Sequence, residues 1–148
     1  MSTHTATIDW KRTTPDFVPE RYVRDHGWTF GTGSSLAASA AVEYRGNPKL
    51  VNPEEALVGA LSSCHMLTFL AFCAKKKLVV DSYHDEAVGQ LEKGADGKLS
   101  VTRVTLKPRV TFGAGTQVDA AELRSIHDFA HANCFIANSV KTAVTVEV

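Results

Sequence analysis

Two of the three cysteines stand among residues whose types could do chemistry. Cys64 lies in "ALSSCHMLT", between two serines and His65, and Cys134 lies in "AHANCFIANS", one helical turn after His131. A thiolate is both a nucleophile and a metal ligand, and two thiols can also cycle through a disulfide. The pair could therefore form a redox centre, part of a zinc site or a hydrolytic nucleophile with its base, or it could be buried packing.

The third cysteine has a different setting. Cys73 follows Phe69, Leu70 and Phe72 and has no polar neighbour before the lysines. Free cysteine is among the most buried residue types, so Cys73 is predicted to be inert packing.

The geometry of a helix argues against the zinc and hydrolase interpretations. Neighbouring side chains on a helix point about 100° apart, so Cys64 and His65 do not easily converge on one ion. The same angle leaves only His131 as a possible base for Cys64. Redox chemistry fits the pair better, because one thiolate can attack a peroxide oxygen while a second cysteine resolves the sulfenic acid.

An attacking Cys64 needs a thiol pKa below the usual value of about 8.5. Cys64 lies roughly 16 Å along a straight helix from Pro53, where the helix dipole contributes little. Either the helix breaks near Gly59 and gives Cys64 its own N-terminus, or an arginine supplies the charge. Glu54 could reach the thiol only across such a break, through a fold of the preceding segment, or from a second subunit.

The cysteine-bearing helix has clear start and stop signals. Asn52 is a candidate cap, Pro53 suits the first helical position, and two glutamates follow. Lys75 and the next two lysines suit the other end of the dipole. The apolar run 56–74 is long enough to span a membrane, but polar residues interrupt it, so we expect a central helix of a domain or dimer.

The remaining elements follow from periodicity and turn residues, and together they predict an α+β fold in a single domain, 1–148. Asp119 is the expected cap of the second helix, and the phase of the apolar residues changes near Thr102, which indicates a bulge. The elements are an edge strand at 5–12, strands at about 27–31 and 36–44, a hairpin from Leu78 to Phe112 whose first strand ends near Glu92, a helix at 120–132 with a stripe of Leu123, Ile126 and Ala130, and a final strand in "KTAVTVEV".

Composition excludes some partners. The chain has 16 basic and 16 acidic residues, well mixed, so neither nucleic acid nor a membrane is an expected partner. The N-terminus lacks the apolar core of a signal peptide, and we expect a cytoplasmic protein with reduced thiols.

The segment "NPEEALVGALSSCHMLTFL" resembles the signature of the OsmC/Ohr family, in which an Asn-Pro-Glu turn precedes a helix with the peroxidatic cysteine. "AHANCFIANS" resembles the family's second segment, which carries the resolving cysteine. The resemblance covers roughly Ser39 to the C-terminus. Family members with established peroxidase activity usually have proline where Phe135 stands, which places the chain in a distinct OsmC-like branch.

This resemblance implies an OsmC-like fold, with antiparallel sheets around central apolar helices in an intertwined homodimer. It implies a thiol-dependent reductase of organic hydroperoxides that defends against oxidative stress, with Cys64 as attacking thiolate and Cys134 as resolving thiol. It also implies that Glu54 orients an arginine, for which we favour Arg24 over Arg45. No flavin, haem or metal cofactor is implied, and the reductant would be a dihydrolipoyl protein or another dithiol.

A non-enzymatic function is the alternative. An OsmC-like protein could hold an acyl chain or another small ligand in an apolar pocket, with unreactive thiols. Two cysteines in polar settings favour the enzyme, because a lipid pocket needs neither.

Overall fold

The structure, a computed structural model, describes all 148 residues and has the predicted α+β fold. The chain forms two compact units, Met1–Ala56 and Leu57–Val148, and the boundary falls in the first turn of the long helix. The helices are α1 (Pro53–Lys75) and α2 (Ala120–Ala132), and the strands are β1 (Ala6–Asp9), β2 (His26–Phe30), β3 (Ser35–Ala38), β4 (Val80–Asp85), β5 (Val88–Lys93), β6 (Leu99–Leu106), β7 (Pro108–Phe112) and β8 (Ala143–Val146).

The N-terminal unit contains an antiparallel sheet in the order β1-β2-β3, so β1 is the edge strand that the sequence predicts. The strand predicted at 36–44 is too long, because β3 ends at Ala38 and Val42–Tyr44 is a 3-10 helix. The carbonyl of Ala41 accepts hydrogen bonds from the backbone of Tyr44 and Gly46, and this turns the chain back. A Cβ on Gly46 would lie 1.5 Å from the Ala40 oxygen, so only glycine fits this turn.

α1 begins as predicted, with a reciprocal capping box. The Asn52 side chain accepts a hydrogen bond from the backbone of Glu55 at 2.8 Å, and the Glu55 carboxylate accepts one from the backbone of Asn52 at 3.2 Å. Two of the amides that a helix N-terminus leaves without partners are thereby satisfied.

Of the two alternatives for activating Cys64, a helix break near Gly59 is wrong, because α1 is one continuous helix of 23 residues. A glycine inside a helix costs only about 1 kcal/mol relative to alanine, which the flanking hydrogen bonds outweigh. The helix ends with Lys77 in the left-handed conformation at φ 61°, and the amide of Leu78 reaches back to the carbonyl of Cys73.

The two faces of α1 differ in burial. A stripe at four-residue spacing is buried and consists of Leu61, His65, Phe69 and Cys73. The opposite face is apolar too, yet Leu67 is 59% exposed. α1 is long and apolar enough to cross a membrane, as core helices of soluble proteins can also be. Only 22% of its most apolar stretch of 18 residues is buried.

The predicted hairpin forms, but it is divided between two sheets. β5 pairs with β6, whereas β4 pairs with β7, and the strands are interrupted at Glu86–Ala87 and at Lys107. The predicted bulge is confirmed: Gln90 opposes Arg103 and Leu91 opposes Val101, so Thr102 is the extra residue.

α2 has its predicted bounds, and the Asp119 carboxylate accepts the backbone hydrogen bond of Glu122 at 2.8 Å. β8 also forms as predicted and pairs with β6 in parallel. Two buried clusters hold the C-terminal unit together, one of Phe69, Cys73, Ile126 and Ala130 between the helices, the other of Leu61, Val104 and Leu106 against β6.

Candidate active site

Cys64 and Cys134 lie together in the C-terminal unit. Cys64 is half-buried near the middle of α1, and Cys134 is fully buried just after the end of α2. Cys64 is close enough to Cys134 to raise the pKa of the Cys134 thiol, and both thiols are free. The folded chain therefore places the two cysteines as direct neighbours although seventy positions separate them in the sequence.

The environment of Cys134 keeps it protonated. Burial is the largest cause that raises the pKa of its thiol, and the neighbouring Cys64 raises it further. The backbone N–H of Ala137 donates to Sγ at 3.4 Å and acts in the opposite direction without reversing the shift. A buried thiol of this kind suits attack on an adjacent oxidised sulfur better than attack on a peroxide from solution.

Cys64 has no helix N-terminus of its own, since α1 runs unbroken through it. The hydroxyl of Thr68 donates to the Cys64 carbonyl at 2.9 Å, within the helix. Two residues before Cys64, Ser62 donates to the Asp85 carboxylate, which also accepts from the backbone of Lys107 at 2.6 Å. Any electrostatic activation of Cys64 must therefore come from a side-chain charge and not from the helix dipole.

An apolar cleft of about 970 Å³ opens beside Cys64. Its walls come from the exposed face of α1, from Phe129 of α2 and from the segment after α2, where Phe135 is 80% exposed. Lys75 and Lys76 line its far end. Cys64 is the cysteine that lines this cleft, so a small molecule bound there would meet its thiol.

Cys73 lies in the buried cluster between the helices, as the sequence predicts. Burial, followed by the nearby Glu122 charge, raises the pKa of its thiol. Cys73 is therefore a protonated packing residue.

Glu54 and the two candidate arginines belong to the N-terminal unit. The Arg24 guanidinium donates to the carbonyls of Tyr22 at 2.9 Å and of Pro19 at 2.8 Å, and lies over the Tyr22 ring at 4.0 Å. Arg45 donates to the same Pro19 carbonyl at 3.3 Å.

The structure does not form the ion pair expected between Glu54 and an arginine. None of its four salt bridges involves Glu54, Arg24 or Arg45. One carboxylate oxygen of Glu54 is buried without a hydrogen-bond partner. A buried carboxylate oxygen without a donor is costly, so Glu54 is a group whose partner the single folded chain does not supply.

A buried histidine pair beside the cysteines escaped sequence reasoning. Nε2 of His65 lies 3.0 Å from Nδ1 of His127, with the rings tilted by only 4° and their centroids 5.3 Å apart. With the centroids 5.3 Å apart, two rings stacked face to face could not bring their nitrogens within 3.0 Å. The rings therefore meet edge to edge in a common plane. The sequence does contain a signal for the burial of His127, because this residue follows Leu123 by four positions and precedes Ala130 by three, on the apolar stripe of α2.

His131, the base considered for a hydrolase, has a buried Nδ1 with no hydrogen-bond partner. The zinc set considered from the sequence does not form, because His65 pairs with His127 and no group of three or more His, Cys, Asp or Glu residues is placed to hold a metal ion.

The sequence model of the OsmC-like protein family matches residues 46–148, which contain both cysteines. The chain belongs to the OsmC-like family. Its predicted membership and OsmC-like fold are thereby confirmed. None of the functionally curated proteins compared with the chain matches it.

Solved structures agree with the OsmC-like assignment. An OsmC-like protein of unknown function from Vibrio cholerae is 47% identical, with a TM-score of 0.95 over 99% of each chain. The organic hydroperoxide resistance protein OhrB of Bacillus subtilis is 17% identical, with a TM-score of 0.68 over 99% of this chain and 97% of its own. An organic hydroperoxide resistance protein from Legionella pneumophila is 16% identical, with a TM-score of 0.74 over 99% of this chain and 95% of its own. The last two likenesses concern the fold alone.

Proposed function

We propose that this OsmC-like protein is a cysteine-dependent peroxidase that reduces organic hydroperoxides. The observation that carries the proposal is the proximity of the thiols of Cys64 and Cys134 beside an apolar cleft. Two solved relatives with the same fold are named as organic hydroperoxide resistance proteins, which supports the same chemistry.

The chemistry balances with these two thiols and one external dithiol. The Cys64 thiolate attacks the peroxide, so an S–O bond forms, the O–O bond breaks and the alkoxide takes up a proton to leave as an alcohol. The Cys134 sulfur then attacks the oxidised sulfur, so the disulfide forms and water leaves. Exchange with the dithiol returns both cysteines to thiols and oxidises the dithiol.

The order of the two cysteines follows from their surroundings. Cys64 is half-buried and lines the cleft, so a hydroperoxide can reach it. Cys134 is buried and its thiol pKa is raised, so it is a poor first nucleophile. Once Cys64 is oxidised, the electrophilic sulfur lies next to Cys134, and the reaction between them is intramolecular.

The proposal includes a homodimer. The exposed apolar face of α1, around Leu67, also forms one wall of the cleft, so a second copy that covers this face would place the cleft at the subunit interface. Glu54, with its unpartnered buried oxygen, and Arg24 belong to the proposed active centre, where the arginine stabilises the Cys64 thiolate. The physiological reductant is proposed to be a dihydrolipoyl protein or a similar dithiol.

Mapping of disulfides by mass spectrometry tests the proposal. One equivalent of cumene hydroperoxide should convert the reduced protein to a Cys64–Cys134 disulfide, and excess peroxide with a dithiol should give turnover. Cys64→Ser should abolish oxidation, whereas Cys134→Ser should stop at a sulfenic acid that dimedone traps. The matched control is Cys73→Ala, which should behave as the wild type. If both thiols stay free after peroxide treatment, the peroxidase proposal fails.

A second candidate is a small-molecule binding protein without peroxidase activity, which the apolar cleft of about 970 Å³ favours. It predicts thiols that are unreactive towards peroxide and a ligand that copurifies. Native mass spectrometry of the purified protein distinguishes the two functions, because a bound molecule adds a fixed mass that denaturation removes.

A further inference from the structure

The bond between His65 and His127 is the one side-chain hydrogen bond that joins α1 to α2. Other contacts between these helices are apolar, among them Phe69 against the His127 ring and Phe72 against Phe129. Apolar contacts are non-directional and tolerate small sliding or rotation of packed helices. An N–H···N bond in the plane of both rings tolerates much less, because its strength depends on distance and angle.

Each histidine is closely linked to one of the two cysteines. His65 follows Cys64 on the same helix, so a shift of one moves the other. His127 lies one turn before His131, whose carbonyl accepts the backbone hydrogen bond of Cys134 at 3.3 Å. The hydrogen bond between the rings therefore connects the two helices that carry the two thiols.

Stability alone does not account for this pair. Nδ1 of His65 and Nε2 of His127 are both buried without hydrogen-bond partners, which is unfavourable. Two apolar side chains of similar shape would avoid this cost and could be as stable as the pair or more so. What an apolar pair could not supply is a bond of fixed direction.

We propose that His65 and His127 are positioning residues that hold the thiol of Cys134 in register with the sulfur of Cys64 for the disulfide step. The inference rests on the proposed redox function. In that step the Cys134 sulfur bonds to the sulfur of the Cys64 sulfenic acid, the S–O bond breaks, and the hydroxyl leaves as water with the thiol proton. A displacement of about 1 Å between reacting atoms can slow an intramolecular reaction by a large factor.

The equilibrium between the protein dithiol and glutathione tests the inference without any peroxide. The ratio of oxidised to reduced protein, with the Cys64–Cys134 disulfide mapped by mass spectrometry, gives the effective concentration of one thiol towards the other. The test variant is His65→Phe combined with His127→Phe, which removes both imidazoles and leaves no single buried ring nitrogen behind. We expect its effective concentration to fall by roughly tenfold or more, while its midpoint of urea unfolding equals or exceeds that of the wild type.

A second pair of variants keeps the test decisive if the double variant does not fold. His127→Asn retains a polar atom near the position of Nδ1, whereas His127→Leu does not. The asparagine variant should keep an effective concentration within roughly threefold of the wild type, and the leucine variant should lose most of it. A purely structural role instead predicts that the effective concentration follows the urea midpoint in every variant.

Equal effective concentrations in the wild type and the double phenylalanine variant would overturn the positioning role, as would equal values for the asparagine and leucine variants. A wild-type protein that forms no Cys64–Cys134 disulfide with oxidised glutathione would also overturn it. A normal glutathione equilibrium without reaction towards cumene hydroperoxide would instead refute only the peroxidase function.

Discussion

His65 and His127 share one hydrogen bond in the core, with 3.0 Å between Nε2 of the first and Nδ1 of the second. Burial lowers the pKa of each ring from 6.5 to about 4. Among charged neighbours, His131 lowers the pKa of His65, and Arg124 lowers that of His127. The Asp85 carboxylate acts in the opposite direction on both rings. Both histidines are therefore neutral in the folded protein at neutral pH.

These shifts predict a stability that depends on pH. Both folded pKa values lie below the unfolded value of 6.5, so between pH 6.5 and 4 the unfolded state binds more protons. The contribution of the two neutral rings to the free energy of unfolding should be fully present above pH 6.5 and be lost as the pH drops to about 4, by on the order of 3 kcal/mol for the hydrogen-bonded pair. Urea unfolding at several pH values measures this. His84→Gln, which changes an exposed ring, should keep the decline, whereas the double phenylalanine variant should flatten it; an equally steep decline in both would contradict the assignment.

Cys73 provides a test of the packing assignment. It is 1% exposed in the apolar cluster between the helices. Cys73→Ser would bury a hydroxyl among apolar groups and should lower the free energy of unfolding by about 1 to 3 kcal/mol. Cys73→Ala should cost less, because it leaves only a small void, and neither variant should change the rate of reaction with cumene hydroperoxide. A slower reaction in the alanine variant would show that Cys73 takes part in the chemistry.

The capping box at the start of α1 gives a local prediction. Asn52→Ala removes the acceptor for the Glu55 amide and should lower the free energy of unfolding by about 1 kcal/mol. Asn52→Asp retains the acceptor and should be close to the wild type. Urea unfolding of the two variants compares them, and equal losses would mean that the side-chain oxygen does not stabilise the helix.

Arg24 and Arg45 allow a matched comparison. Arg24 uses two nitrogens of its planar guanidinium on two carbonyls, which lysine cannot reproduce, whereas Arg45 makes one long bond. If Arg24 activates the Cys64 thiolate, Arg24→Lys should keep the circular dichroism spectrum and lower kcat/KM for cumene hydroperoxide by roughly tenfold to a hundredfold. Arg45→Lys should keep most of the activity. The reverse pattern would assign the role to Arg45.

Structural features that depend on a few neighbouring residues could be predicted from the sequence. Asn52 with Glu55, and Asp119 before α2, are side-chain to backbone bonds that span three residues, so the local sequence specifies them. The bulge at Thr102 was predictable because one extra residue reverses which side chains face inward. The packing of Cys73 followed from its apolar neighbours.

Features that depend on distant partners could not be predicted in this way. A break near Gly59 was one of two ways to supply the charge that Cys64 needs, yet a chemical requirement does not determine backbone geometry. The place of His127 on the apolar stripe of α2 indicates its burial, but its pairing with His65 could not be predicted, because His65 lies on another helix and contributes no local signal. The arginine partner of Glu54 stays a prediction, because the single chain supplies no donor to the buried oxygen of its carboxylate.

The parallel pairing of β8 with β6 determines when this protein can finish folding. Val144 opposes Val104, a partner forty positions earlier, whereas β5 and β6 adjoin through a short turn. During synthesis the β5–β6 hairpin is therefore available early, and the third strand of its sheet must wait until α2 and the Cys134 segment have emerged. Before that point the β8 side of β6 is an unpaired edge, open to pairing with another chain. A ribosome that stalls after the Cys134 segment has emerged, but before β8 has, would thus expose a sheet edge, together with an unprotected Cys134 thiol, in the nascent chain.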